Sequence, residues 1–522
     1  MDSEDELRAE LLTNVDSGEI DPIDPGTADF TKYVAIGNSS TAGFSDGALY
    51  PQSQANSYPA ILATKLSLAG GGVFNQPNIS SGNGYGGGAP GSEVGKGLID
   101  VGAALVNPAN AIQFTSGSPL TSNSVSNLNN FGVPLARIVD ATNALYGFPG
   151  GGNPFFAAFA STPGGSSMLD DAIAANPTFF SVWLGNNDVL GYATGGGADE
   201  GLITSQGDFQ TALVTILGGL SAGGAKGVVL NIPPVHLAPY FQIATTLSGG
   251  VKVLPAGSID VATAAFLNSA AAYGEYNSGL GAAVLVGAIT QAEADMRAIS
   301  FTGDVANAPV ITDESLTTAD ISAAFGAPAG SVILPNIRQA QVNATTGQYD
   351  LFPLTALSVL GTLADPTNPT TVYGVGVPLP DPYTLTMAEQ VNVITAYATF
   401  NATISGVLQN FPNVNLVDVG PMYADMFGLS AAQAAGLQLS AAAQAAADGD
   451  LGIQIGGYDL VPLSLEACCL FNSVWSADGL HPNARGAAII ANEIIKVINS
   501  AHNTEIPEVD VLNYTGINAK LP

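Results

Sequence analysis

The chain has 522 residues, enough to bury a proper core, and only 11% are charged, which excludes a disordered polyelectrolyte. Twelve Lys and Arg stand against 43 Asp and Glu, a formal net charge of −31, and so negative a surface argues against nucleic acid or anionic membranes as partners. Mean hydropathy is +0.29, yet the surplus is mostly Ala, Val and Gly, and no stretch stands out as the roughly 20 strongly apolar residues of a spanning helix.

Residues 1–30 are acidic and proline-punctuated (IDPIDPGTADF), which predicts a flexible tether. Met1 leads straight into Asp2-Ser3-Glu4-Asp5-Glu6, with neither the basic nor the apolar region of a signal peptide. From Tyr33 the pattern becomes α/β. Tyr33 to Ile36 reads as a short buried strand, and Tyr58 to Leu68 has helical apolar spacing, with Pro59 acceptable near a helix start. Residues 70–92 form a long glycine-rich stretch suited to folding over a site. Pro134 to Tyr146 reads as a helix and Thr178 to Leu184 (TFFSVWL) as a central strand. Phe209 to Leu220 is an amphipathic helix, followed by the strand Gly227 to Ile232. Such alternation predicts a parallel sheet with helices on both faces.

The rhythm is lost between about 240 and 385, where alanine-rich pieces alternate with runs such as ADPTNPTT and GVPLPDP. It returns with a helix at Met387 to Leu408, a strand at Val414 to Val419 and a last helix at Ala484 to Asn499. Residues 425–460, rich in Ala and Gln, read as a further helical insert. The expected organisation is a core over 31–240 and 386–500, an insertion or cap over 241–385 and a C-terminal tail over 501–522. The only cysteines, Cys468 and Cys469, are adjacent. Their Cα atoms stand about 3.8 Å apart, below the spacing a relaxed disulfide prefers, so packed thiols and a strained vicinal disulfide both stay open.

Three histidines limit the choice of a general base working near neutral pH. His502 lies in the polar tail and is expected to be exposed; His236, in Pro233-Pro234-Val235-His236, is expected to be structural. His481 differs. It lies in Asp478-Gly479-Leu480-His481-Pro482-Asn483, where a tight turn can set the Asp478 carboxylate against the imidazole. Ser39 follows the first strand directly, as an activated serine on a strand-to-helix turn must. Asn187, in Gly185-Asn186-Asn187-Asp188, follows the central strand and can donate an N–H to a developing oxyanion. Two strings of the form G-x-S-x-G, around Ser45 and Ser221, lack that leading strand, and matches are cheap in a chain with 62 glycines.

Gly37-Asn38-Ser39, the Asn130 to Leu135 segment (NFGVPL), Gly185-x-Asn187-Asp188 and Asp478-x-x-His481 together resemble the four sequence blocks of the SGNH (GDSL) hydrolase family, in the family's order. The resemblance covers roughly 31–235 and 386–500. It implies a flavodoxin-like three-layer α/β/α sandwich around a parallel sheet, and hydrolysis of carboxylic esters through a serine acyl-enzyme, with no cofactor or metal. By position it implies Ser39 as nucleophile, His481 as base and Asp478 as its orienter. The Ser39 and Leu135 backbone N–H groups and the Asn187 side chain would form the oxyanion hole.

Two positions depart from the family pattern. Asn38 stands where an aspartate is usual, and Leu135 where a glycine is usual. The first should preserve the turn; the second should crowd the acyl pocket or shift the donor role to Gly132. These departures and the insertion leave an alternative, a weak or inactive surface binding protein on the same fold. The acidic leader resembles the tether of an exported bacterial lipoprotein whose signal has been removed. That implies a periplasmic, outer-membrane or secreted location and a membrane link through a lost lipid anchor. Lipid, glycan and aryl esters all remain open as substrates.

Overall fold

A computed structural model describes residues 23–89, 91–100, 112–120, 126–241, 259–305, 307–316, 318–342, 348–426 and 474–516, with a few isolated strand residues beyond them. Five parallel strands form the central sheet: β1 (Tyr33–Gly37), β2 (Asn130–Gly132), β3 (Phe179–Trp183), β4 (Lys226–Leu230) and β5 (Val414–Val417). Their spatial order is 2-1-3-4-5, one of the two common orders of doubly wound α/β sheets. Apolar residues occupy consecutive positions because both faces are covered. Val34, Ile36, Phe180, Val182 and Val229 point into one core, while Tyr33, Ala35, Phe179, Trp183 and Val228 point into another.

Among the described helices that surround the sheet and its crevice are α1 (Ser39–Ala42), α2 (Tyr58–Leu66), α3 (Met168–Ala174), α4 (Asn187–Thr194), α5 (Gln206–Ser221), α6 (Met387–Leu408) and α7 (Ala484–His502). Helices α3, α5 and α6 cover the first face through Met168, Phe209, Ile216, Phe400 and Ile404. Helices α2 and α7 cover the second through Ile61, Leu62, Ile490, Ile494 and Ile498. Each buried isoleucine of α7 contributes roughly 1.5–3 kcal/mol of transfer free energy, and Ile494→Ala should cost about 2–5 kcal/mol. Among the described residues one helix, α6, is long and apolar enough to cross a membrane by length and composition alone. Its Val393, Phe400, Ile404 and Val407 are nevertheless spent on the core.

The strands end level. Gly37 pairs with Gly132 on one side and Trp183 on the other. The segments leaving their carboxyl ends therefore open onto one crevice, the usual binding edge of such a sheet.

Residues 259–385 carry two small cores of their own, one around Tyr273, Leu280 and Ile299 and one around Ile311, Phe352 and Leu379. The region docks on the main core through Tyr349, Leu351 and Leu385. A buried ion network strengthens the joint. Arg338 lies between Asp313 and Asp350, each at 2.6 Å, and Asp350 also accepts the backbone N–H of Met387 at the start of α6.

Several expectations are corrected. The tether reading of 1–30 fails for its last residues: Phe30 is buried, Ile23 donates to the Leu68 carbonyl and Thr27 to the His502 carbonyl. His502 is buried too, its Nδ1 3.1 Å from the Thr27 hydroxyl, so it is no exposed bystander. Pro134 to Tyr146 forms a short 3₁₀ turn at Val139–Thr142 instead of an α-helix. The Asp140 and Asp188 carboxylates capture the backbone N–H groups of Arg137 and Ile138, which a helix would need. An antiparallel hairpin, Val94–Asp100 with Ile112–Ser116, stands where no strand was expected. The Ala/Gln-rich insert lies almost entirely, and Cys468 and Cys469 wholly, outside the described residues.

Candidate active site

The first apolar strand stops at Gly37 because the chain must turn under a tight roof: a Cβ there would sit 1.9 Å from Thr41 Oγ1. Asn38 then caps α1, its Oδ1 accepting the Ser40 N–H at 3.1 Å. Asparagine caps as well as aspartate, so Asn38 holds the turn as an aspartate would. Ser39 becomes the first residue of α1. Its backbone N–H is one of the first-turn donors without an intrahelical acceptor and is free to point at a ligand.

Ser39 Oγ lies 2.8 Å from His481 Nε2, and His481 Nδ1 lies 2.9 Å from Asp478 Oδ2. The turn that joins the last two is tied internally. Asp478 Oδ1 accepts the backbone N–H groups of Leu480 and His481, each at 2.9 Å. Gly479 takes φ +71, a left-handed conformation, and a Cβ there would meet Tyr240 N at 2.8 Å. Just beyond, Asn483 caps α7 by accepting from Arg485 and Gly486, which anchors the turn to a long buried helix. Burial pushes the Asp478 carboxyl up, but His481 and the surrounding N–H donors outweigh it and hold the group at about 2. Asp478 is then ionised, His481 Nδ1–H donates to it, and Nε2 is left to accept the Ser39 proton.

The segment around Ser45 contributes through other residues. Ser45 sits in a small turn bridged to Ala48. Its neighbour Gly47 donates its backbone N–H to Asp478 Oδ2 at 2.7 Å, and Asp46 accepts the Ala477 N–H at 2.8 Å. Asp46 also accepts the Tyr50 hydroxyl at 2.6 Å. These ties escaped the sequence reading; the adjacency of Asp46 and Gly47 to the Ser39 turn was the available signal. Ser221 lies at the end of α5, in a helix and not on a strand-to-helix elbow.

Asn187 opens α4, reached through Gly185 at φ +112, and lines the same cleft as Ser39 and His481. One N–H of its amide is donated to the Ala136 carbonyl at 3.0 Å, leaving the other for a substrate. Next in sequence, Asp188 is buried and accepts the Ile138 N–H at 2.9 Å, tying the Val133–Ile138 segment to α4. Burial pushes its carboxyl up to about 6.

Leu135 takes φ +70, the region that favours glycine. Its side chain is 69% exposed and does not line the cleft beside Ser39, so it does not crowd that cleft. Its backbone N–H donates no hydrogen bond among the described residues. Gly132 is not a competing donor: its N–H is taken by Asn130 Oδ1 at 2.9 Å. Asn130 also donates to the Thr41 carbonyl at 2.9 Å, clamping α1 to β2. His236 is buried, in keeping with a structural place.

The cleft beside Ser39 spans about 470 Å³ of empty space, part of it open solvent. Leu190, Pro233, Val235, Tyr423, Trp475 and Leu480 supply apolar wall. None of its described lining comes from 70–92 or 259–385, contrary to expectation. A hydroxyl, an imidazole and a carboxylate in series, beside amide donors and an apolar wall, can activate an oxygen nucleophile against a carbonyl carbon. No protein-family model, curated protein or solved structure matches the chain, which leaves the geometry of the site as the ground for assigning its chemistry.

Proposed function

We propose that the chain is a serine esterase or lipase-like acylhydrolase of SGNH type, cleaving carboxylic esters through an acyl-enzyme. The observation that carries this reading is the unbroken series Ser39 Oγ, His481 Nε2, His481 Nδ1, Asp478 Oδ2, with links of 2.8 and 2.9 Å. The 2-1-3-4-5 sheet, with these groups at its carboxyl edge, supports a flavodoxin-like core of the kind the resemblance implies.

Ser39 Oγ attacks the ester carbonyl carbon as its proton passes to His481 Nε2. The C=O electron pair moves onto oxygen, and the Ser39 and Leu135 N–H groups and the Asn187 amide stabilise that charge. Collapse breaks the C–O bond to the alcohol, which leaves with the proton from His481. Water then attacks the Ser39 acyl ester by the same path in reverse roles, releasing the acid. Asp478 stays ionised and stabilises the imidazolium in both halves.

The test is hydrolysis of p-nitrophenyl acetate and butyrate by the wild type and Ser39→Ala. Loss of turnover in a variant that keeps the wild-type circular dichroism and Tm supports the reading; equal turnover removes it.

A further inference from the structure

Apart from the triad residues, three carboxylates meet at the joint between the insertion and the core. Glu314 and Asp381 come from the insertion and Glu389 from the first turn of α6. One oxygen from each lies within 4.8 Å of the others. Among the described residues no Lys, Arg or His forms an ion pair with any of them.

Glu389 is the informative member. It is only 6% exposed. Its Oε2 is committed to the capping box, accepting the Thr386 N–H at 2.6 Å, while its Oε1 is buried without a hydrogen-bond partner. Asp381 Oδ1 is likewise buried and unpartnered. Glu314 reaches hydrogen-bonding distance of both, although ionised carboxylates have no hydrogen to share. The turn after α4 closes the far side. Gly197 takes φ +83, and a Cβ there would sit 2.6 Å from Glu389 Oε1, so the backbone leaves room only for the carboxylate. Burial and the adjoining Glu314 push the Asp381 and Glu389 carboxyls upward.

We propose that Glu314, Asp381 and Glu389 bind a hard divalent cation, calcium, which pins the insertion to the catalytic core. An all-oxygen donor set without His or Cys selects such an ion over zinc or copper. Oxygens within 4.8 Å of one another fit inside the shell of a calcium ion, whose ligands stand about 2.3–2.6 Å from the metal. Calcium also tolerates an irregular shell completed by backbone carbonyls and water, whereas magnesium demands a near-ideal octahedron. The Gly196–Gly197 turn follows α4, the helix that begins with Asn187, so the ion would brace three segments at once: the insertion, α6 and the end of α4.

The experiment is calorimetric titration of the chelator-treated full chain with calcium chloride, with magnesium chloride in parallel. Added sodium chloride screens diffuse binding to the acidic surface. The expected result is one saturable calcium site, a Tm that rises with calcium, and binding weakened roughly tenfold or more in Glu314→Gln/Asp381→Asn. Three results overturn the proposal: no saturable site in the wild type, unchanged calcium binding in the folded double variant, or a Tm that responds to acidification and not to calcium, the sign of a shared proton.

Discussion

The Gly47 backbone N–H donates to Asp478 Oδ2 at 2.7 Å, joining residues 431 positions apart. The same oxygen accepts His481 Nδ1–H, so the turn after α1 also holds the carboxylate that orients the His481 ring. Gly47 takes φ +76, and a Cβ there would approach Phe114 Cε1 to 2.9 Å. Gly47→Ala therefore pays backbone strain of order 1–3 kcal/mol. A lower Tm is expected, together with a loss in kcat larger than any change in KM, since the ester would still enter the cleft.

Asn187 gives a sharper division of roles. Removing one donor from an oxyanion hole costs about 10²–10³ in kcat. Asn187→Ala should fall in that range on p-nitrophenyl butyrate with KM little changed. A proportionate rise in KM would instead place the amide in ground-state binding.

Leu135 pays for a left-handed backbone and exposes its side chain. Leu135→Gly should leave turnover of acetyl esters intact and raise Tm modestly, by about the 1 kcal/mol that a left-handed non-glycine residue forfeits. A selective loss on long acyl chains would show that the leucine acts as an apolar lip.

Two carboxyls set opposing trends with pH. Asp478 is depressed from 3.8 to about 2, so its contribution is present above pH 4 and lost as pH falls through about 2. Asp188 is raised to about 6, so its contribution is present below pH 4 and lost as pH rises through 6. Asp188→Asn keeps an acceptor for the Ile138 N–H and removes the titration. Chemical denaturation from pH 4 to 7 should show the wild type losing stability relative to this variant; parallel curves would contradict the assignment.

The residues that converge at the site were readable because each sits in a short local pattern. Ser39 and Asn187 directly follow buried apolar runs, and Asp478 precedes His481 by one turn. Four of the five core strands were equally plain, since residues buried on both faces leave continuous apolar segments, whereas the three-residue β2 (Asn130–Gly132) was not expected as a strand. What escaped was set by distant partners. Asp46 and Gly47 meet Ala477 and Asp478, Thr27 meets the end of α7, Phe30 packs on Phe179, and Asp188 unwinds an expected helix by taking the Ile138 amide. Hydrogen bonds of that span leave no periodicity to read.

The most direct measurement is covalent labelling with a fluorophosphonate, the modified residue being located by mass spectrometry. A serine whose proton is held by His481 Nε2 should be phosphonylated stoichiometrically at Ser39, with labelling lost in Ser39→Ala and strongly slowed in His481→Ala. A folded wild-type chain that takes no label, or takes it at Ser45 or Ser221, contradicts the assignment.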